Sequence, residues 1–309
     1  MRGATLWTLT PGFSARFSRP WFDILVEANK QGLRDRDYGP RIPGRLRILG
    51  LGDSFAFGWG VEAEQGFYKR LEAQLVASGR PAEVVSAGIP GYGSEEALRL
   101  LEAVGLSYEP DLVLLAFYEG NDYLNNAHAP RRRRIVDGYL AEAAGPGRLA
   151  RLVLRSSALV ALAEDQWSRL AEKRAHSSSV AKTRAILLEM KRLLAARGLP
   201  LVVVFIPDQD QEAYRRSAWG RRLDRLLRGA EVFDERAPLE AFCRGSGIGF
   251  CRLSAAFEDA PGAARLRLAP EDSHFNALGH RRAAEEIHAW LLAHPWAFER
   301  QPPSSETHD

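Results

Sequence analysis

The chain has 309 residues, 46% of them hydrophobic, and 42 Lys and Arg against 39 Asp and Glu, for a net charge of +3. At roughly 150 residues per domain this allows one or two domains, and a chain of this size buries about 75% of its unfolded surface without staples. These figures exclude wholesale disorder and a fibrous or disulfide scaffold; no ~18-residue apolar stretch spans a membrane, and the charge alone does not argue for nucleic acid.

Arg2 is the only early charge, and the apolar run Ala4–Leu9 is short and broken by Thr5 and Thr8. That is not a secretory leader. The expected location of the chain as written is the cytoplasm, or an extracytoplasmic one where an anchor has been removed. Residues 1–45 hold Pro11, Pro20, Pro40 and Pro43 without a sustained period. They are expected to form an irregular arm packed on the domain that follows.

Residues 46–51 are a short apolar run ending at Gly52, the pattern of a buried strand. Phe67, Leu71, Leu75 and Val76 then fall at helical spacing, and Gly79 suits the stop. Val84 and Val85 mark a second strand. Ala97, Leu98, Leu101 and Val104 mark a second helix. Residues 111–117 form the third strand, introduced by Pro110, and 201–206 the fourth, closed by Pro207. A fifth is expected at 247–253.

Residues 123–180 read as an insertion with a helix at 149–173 and four adjacent cations, Arg131–Arg134. Such a run attracts anions but is more often a solvated loop. A helix is expected at 181–197, with Ile186, Met190, Leu193 and Leu194 on one face. The last helix spans 277–293, with Asn276 as its N-cap and Ala283, Ile287, Trp290 and Leu291 as its apolar face. The domain is taken to run over 46–296. A disordered tail is expected over 297–309, of which 301–309 is the Pro- and Ser-rich end. Cys243 and Cys251 read as two buried apolar side chains rather than a pair. No Cys/His cluster suggests a metal. Apolar strands alternating with helices argue for a parallel sheet covered on both faces.

The turn after the first strand reads Gly50-Leu51-Gly52-Asp53-Ser54-Phe55-Ala56-Phe57-Gly58. Phe55 occupies the third glycine position of a dinucleotide fingerprint, and no Gly-Lys-Ser/Thr is present for a phosphate loop. Two readings remain for Ser54: a helix cap, or a nucleophile at the sheet's carboxyl edge beside a helix N-terminus. A serine nucleophile needs a base, usually His. His274 follows Glu271 and Asp272, and a nearby acid orients an imidazole and stabilises its cation. His280 and His288 read as packing or surface residues on the last helix. His128, His176, His294 and His308 sit in loops or at chain ends. Oxyanion donors are offered by the Gly-rich turn holding Gly91 and by Asn121 in Glu119-Gly120-Asn121-Asp122. All these positions follow strands or precede the last helix, so a parallel sheet brings them to one edge.

In this order, Gly52-Asp53-Ser54, Gly91, Gly120-Asn121-Asp122 and His274 resemble the four blocks of the SGNH hydrolases, or GDSL esterases and lipases. The resemblance spans about 46–293, and Asn29–Asp35 resembles a lead-in found before the first block in one bacterial branch. It implies a three-layer α/β/α, flavodoxin-like fold with about five parallel strands. It also implies Ser54 as nucleophile, His274 as base, and an oxyanion hole of Ser54 N–H, Gly91 N–H and the Asn121 amide. The family's usual acid lies three residues before the His, here Glu271. Asp272, two before it, matches a spacing of acetyltransferase-like branches and is favoured, with Glu271 open. Glu119 replaces a common Gly and is expected to narrow the mouth.

An α/β-hydrolase fits less well, because its nucleophile lies deep in the chain and its acid and His on separate loops. The expected function is ester hydrolysis without cofactor or metal, on a small-molecule or glycan ester. The alternatives are acyl transfer to a hydroxyl and a non-catalytic binding module.

Overall fold

The computed structural model describes residues 6–127, 133–136, 139–142, 179–208, 236–253, 257, 264–269 and 272–300. The expected helix at 149–173, Arg131 and Arg132, Glu271 and residues 301–309 lie outside them.

Five strands form one parallel sheet: β3 (Leu46–Gly52), β4 (Ala82–Gly88), β5 (Leu112–Tyr118), β8 (Leu201–Ile206) and β9 (Gly249–Arg252). Their order is β4-β3-β5-β8-β9, all neighbours parallel. Counted within the sheet this is 2-1-3-4-5, the doubly wound flavodoxin-like arrangement. Alternate strand residues face opposite sides, and both sides are apolar. Leu49, Leu51, Val113 and Val203 pack with α3 (Ser94–Ala103), the helix over residues 179–195 (α5) and α6 (Arg236–Gly245). Ile48, Val84, Leu114 and Val202 pack with α2 (Phe67–Ala77) and α7 (Ala277–Ala293). This is why no strand of this sheet shows alternation in sequence. Val76 departs from the expected face of α2. It stands 54% exposed, about 100° round the helix from buried Leu75.

The arm is not irregular. It holds an antiparallel hairpin, β1 (Ser14–Arg19) and β2 (Phe22–Glu27), closed by Pro20 and Trp21. Phe22, Ile24 and Val26 are buried while Asp23 and Glu27 face solvent, a period of two that the prolines obscured. The hairpin packs on Phe57. Behind it, buried Arg34 donates to the carbonyls of Leu25, Phe57, Gly58 and Val61 at 2.8–3.2 Å. Burial draws its guanidinium down to about 10, against the charge of Glu62.

The insertion opens with α4 (Asp122–Ala127) and a second antiparallel pair, β6 (Arg133–Val136) and β7 (Tyr139–Glu142). At the other end the fold continues past 296. Ala297 is fully buried in a short turn, and Arg300 reaches Asp111 at 3.4 Å, so residues 297–300 are not tail. Cys243 and Cys251 are buried and free. Among the described residues no helix is long and apolar enough to cross a membrane, and no group of three His, Cys, Asp or Glu could hold a metal.

Candidate active site

At the carboxyl end of β3 the chain turns at once into α1 (Ser54–Phe57), a single helical turn. Asp53 caps it, accepting from the Phe55 N–H at 2.9 Å. The capping role therefore belongs to Asp53, and the Ser54 hydroxyl is left for another partner. Gly88, at the end of the neighbouring β4, lets α1 sit this close to the sheet. A Cβ there would lie 2.2 Å from the Phe57 nitrogen.

That partner is His274. It stands on a short strand, β11 (Asp272–Phe275), paired with β10 (Arg267–Ala269) rather than on a loop. The strand leads into α7, whose N-cap Asn276 accepts from the N–H groups of Leu278 and Gly279. His274 Nε2 lies 2.7 Å from Ser54 Oγ, and Nδ1 lies 2.6 Å from Asp272 Oδ1. The same oxygen accepts the His274 backbone N–H at 3.1 Å. An ionised carboxylate only accepts, so Nδ1 carries the ring proton and Nε2 is the acceptor for the serine hydroxyl. The Phe55 ring packs against the imidazole, centroids 4.9 Å apart.

Burial pushes the Asp272 carboxyl up. The hydrogen bond and charge of His274 outweigh this, joined by the indole N–H of Trp21, and hold it below the usual carboxylate range. Trp21 Nε1 donates to Asp272 Oδ2 at 3.1 Å. Sequence reasoning missed this residue. Its only signal was the two-residue link between alternating runs, hidden by Pro20.

Asn121 follows β5 and sends Nδ2 to Asp53 Oδ2 at 2.8 Å. Its Oδ1 is buried and has no hydrogen-bond partner among the described residues. Asp53 is fully enclosed. Burial raises its carboxyl, against the bonds from Asn121 and Phe55 and the proximity of His274. Asp122 is also enclosed, accepting from the Tyr118 N–H and the Ser94 hydroxyl. Burial, then the charge of Asp53, raise its carboxyl well above the ordinary range.

Gly91 turns the chain after β4 at a φ of 80°, in the left-handed region that favours glycine. Because β4 and β5 flank β3, the turns holding Gly91 and Asn121 stand on either side of Ser54. Ser54 opens α1, so its N–H has no carbonyl one turn back. Glu119 is buried, and its carboxylate accepts the Asp208 N–H at 3.0 Å. His280 is buried in α7 against Phe67, and His288 meets Ser78 on the surface.

The sequence model of the GDSL-like lipase/acylhydrolase family matches residues 51–282. Among solved structures, the chain is similar to TesA, at 16% identity over 80% of this chain and 98% of that one, with a TM-score of 0.48. It is also similar to the psychrotrophic esterase EstA from Pseudoalteromonas sp. (17% identity, 80% and 97%, TM-score 0.48). A third similar structure is the lipase/acylhydrolase from Enterococcus faecalis (16% identity, 84% and 99%, TM-score 0.46). No protein of curated function matches the sequence. The match over 51–282 covers most of the chain, which therefore belongs to the GDSL-like lipase/acylhydrolase family.

Proposed function

We propose that this family member is a serine ester hydrolase working through an acyl-enzyme. The observation that carries the reading is the unbroken relay Ser54 Oγ, His274 Nε2, His274 Nδ1, Asp272 Oδ1, with gaps of 2.7 and 2.6 Å. Ser54 Oγ attacks the ester carbonyl carbon while its proton passes to His274 Nε2. The tetrahedral oxyanion takes hydrogen bonds from the Ser54 and Gly91 N–H groups and the second Nδ2 proton of Asn121. Its collapse breaks the carbon–oxygen bond, and the alcohol leaves with the proton from His274. Water, deprotonated by the same nitrogen, then releases the acid and restores Ser54. Asp272 holds the ring's tautomer and stabilises the imidazolium.

A Ser54 hydroxyl far from His274 would favour a non-catalytic binding module, and the 2.7 Å contact does not favour it. A fluorophosphonate tests the nucleophile. Ser54 Oγ should displace fluoride, so digestion and mass spectrometry should find the phosphonyl mass on the peptide holding Ser54. A folded protein left unlabelled there, or labelled on another serine, contradicts the assignment.

A further inference from the structure

The acid of the relay receives a donor from a part of the chain that carries no family block. Asp272 Oδ1 takes both donors of His274, and Oδ2 takes the Trp21 indole N–H. We propose that Trp21 is a positioning residue for Asp272, through which the N-terminal hairpin sets the orientation of the acid toward His274. The proposal rests on Asp272 being the acid of the relay.

Three observations support it. First, the last torsion of an aspartate is broad, so a carboxylate bonded at one oxygen can swing. A donor on Oδ2 fixes the plane that presents Oδ1 to Nδ1. An indole N–H only donates and does not titrate, so this restraint persists at every pH of catalysis. Second, Trp21 is 40% exposed at the tip of a two-residue turn. Most large aromatic side chains bury more than that, so burial alone does not account for its placement.

Third, the hairpin is fixed along β2 to the nucleophile's helix. Phe22, Ile24 and Val26 pack on Phe57, the last residue of α1, and Arg34 ties the carbonyls of Phe57 and Gly58 to that of Leu25 in β2. One element thus touches both the helix bearing Ser54 and the acid. It thereby sets their separation.

The test is a double-mutant cycle on p-nitrophenyl acetate with wild type, Trp21→Phe, Asp272→Asn and the double variant. Phe keeps an aromatic ring at an exposed turn and removes the donor. Loss of one hydrogen bond to a charged group should lower kcat about tenfold, with KM within about twofold. In the Asp272→Asn background the same change should move kcat less than about twofold, because the carboxylate that the donor orients is gone. Unchanged kcat in Trp21→Phe, a loss confined to KM, or equal losses in both backgrounds would overturn the proposal and leave a merely structural contact. Wild-type kcat in Asp272→Asn would instead remove Asp272 as the acid, a separate failure that takes Trp21 with it.

Discussion

Asp53 and Asn121 show how adjacent side chains divide the work around Ser54. Asp53 Oδ1 caps α1 and its Oδ2 holds one amide proton of Asn121; in the proposed mechanism the other amide proton meets the oxyanion. The amide is thereby oriented before any substrate arrives, the condition under which an oxyanion donor is most effective. Replacing Asn121 by Ala should lower kcat by roughly 10²–10³ with little change in KM. Steady-state kinetics on a folded variant would check this, and an unchanged kcat removes Asn121 from the oxyanion hole. At this scale the sequence singles out Ser54, His274 and Asn121 as candidates, because there a residue type and the chemistry it can do coincide. It was silent on Trp21, whose role depends on a partner 251 positions away.

Among the elements, the strands and the last helix were legible because their apolar pattern and their caps agree. The structure has the strand at Leu201–Ile206 and the last helix at Ala277–Ala293, where both were expected. The hairpin was not, since its period of two extends over only six residues in each strand and is flanked by prolines. Arg34 was equally opaque: a buried guanidinium serving backbone carbonyls leaves no acid in the sequence to pair it with. Helix α7 carries a measurable consequence of burial. His280 accepts the Phe67 N–H at 3.2 Å, and burial draws it down to about 3.

Between that value and the ordinary value of about 6.5, the unfolded chain binds a proton that the folded chain refuses. Its contribution to stability is therefore fully present above about 6.5 and falls by about 1.4 kcal/mol per pH unit below it. His280→Asn keeps an acceptor and removes the titration. Urea unfolding should show the stability advantage of the wild type over this variant shrinking by about 2 kcal/mol from pH 7.5 to 5. A constant difference would mean that His280 is charged in the folded protein.

For the molecule as a whole, the order β4-β3-β5-β8-β9 explains why four distant segments meet. Turns after three adjacent strands and a strand leading into the last helix all open on one edge of the sheet. That convergence was legible, because strand ends in a parallel sheet share an edge. Between Glu271 and Asp272 the sequence favours Asp272 without deciding, since both precede the histidine closely. Asp272 is the one that meets the ring, and Glu271 lies outside the described residues. The central claim is that Ser54 carries ester hydrolysis on this scaffold. Release of p-nitrophenol from acetyl and longer-chain esters, by wild type and by Ser54→Ala, tests it most directly. The account predicts turnover by the wild type and a loss of roughly 10³-fold or more in the variant; a folded wild type inert toward every ester, or a variant as active as the wild type, would contradict it.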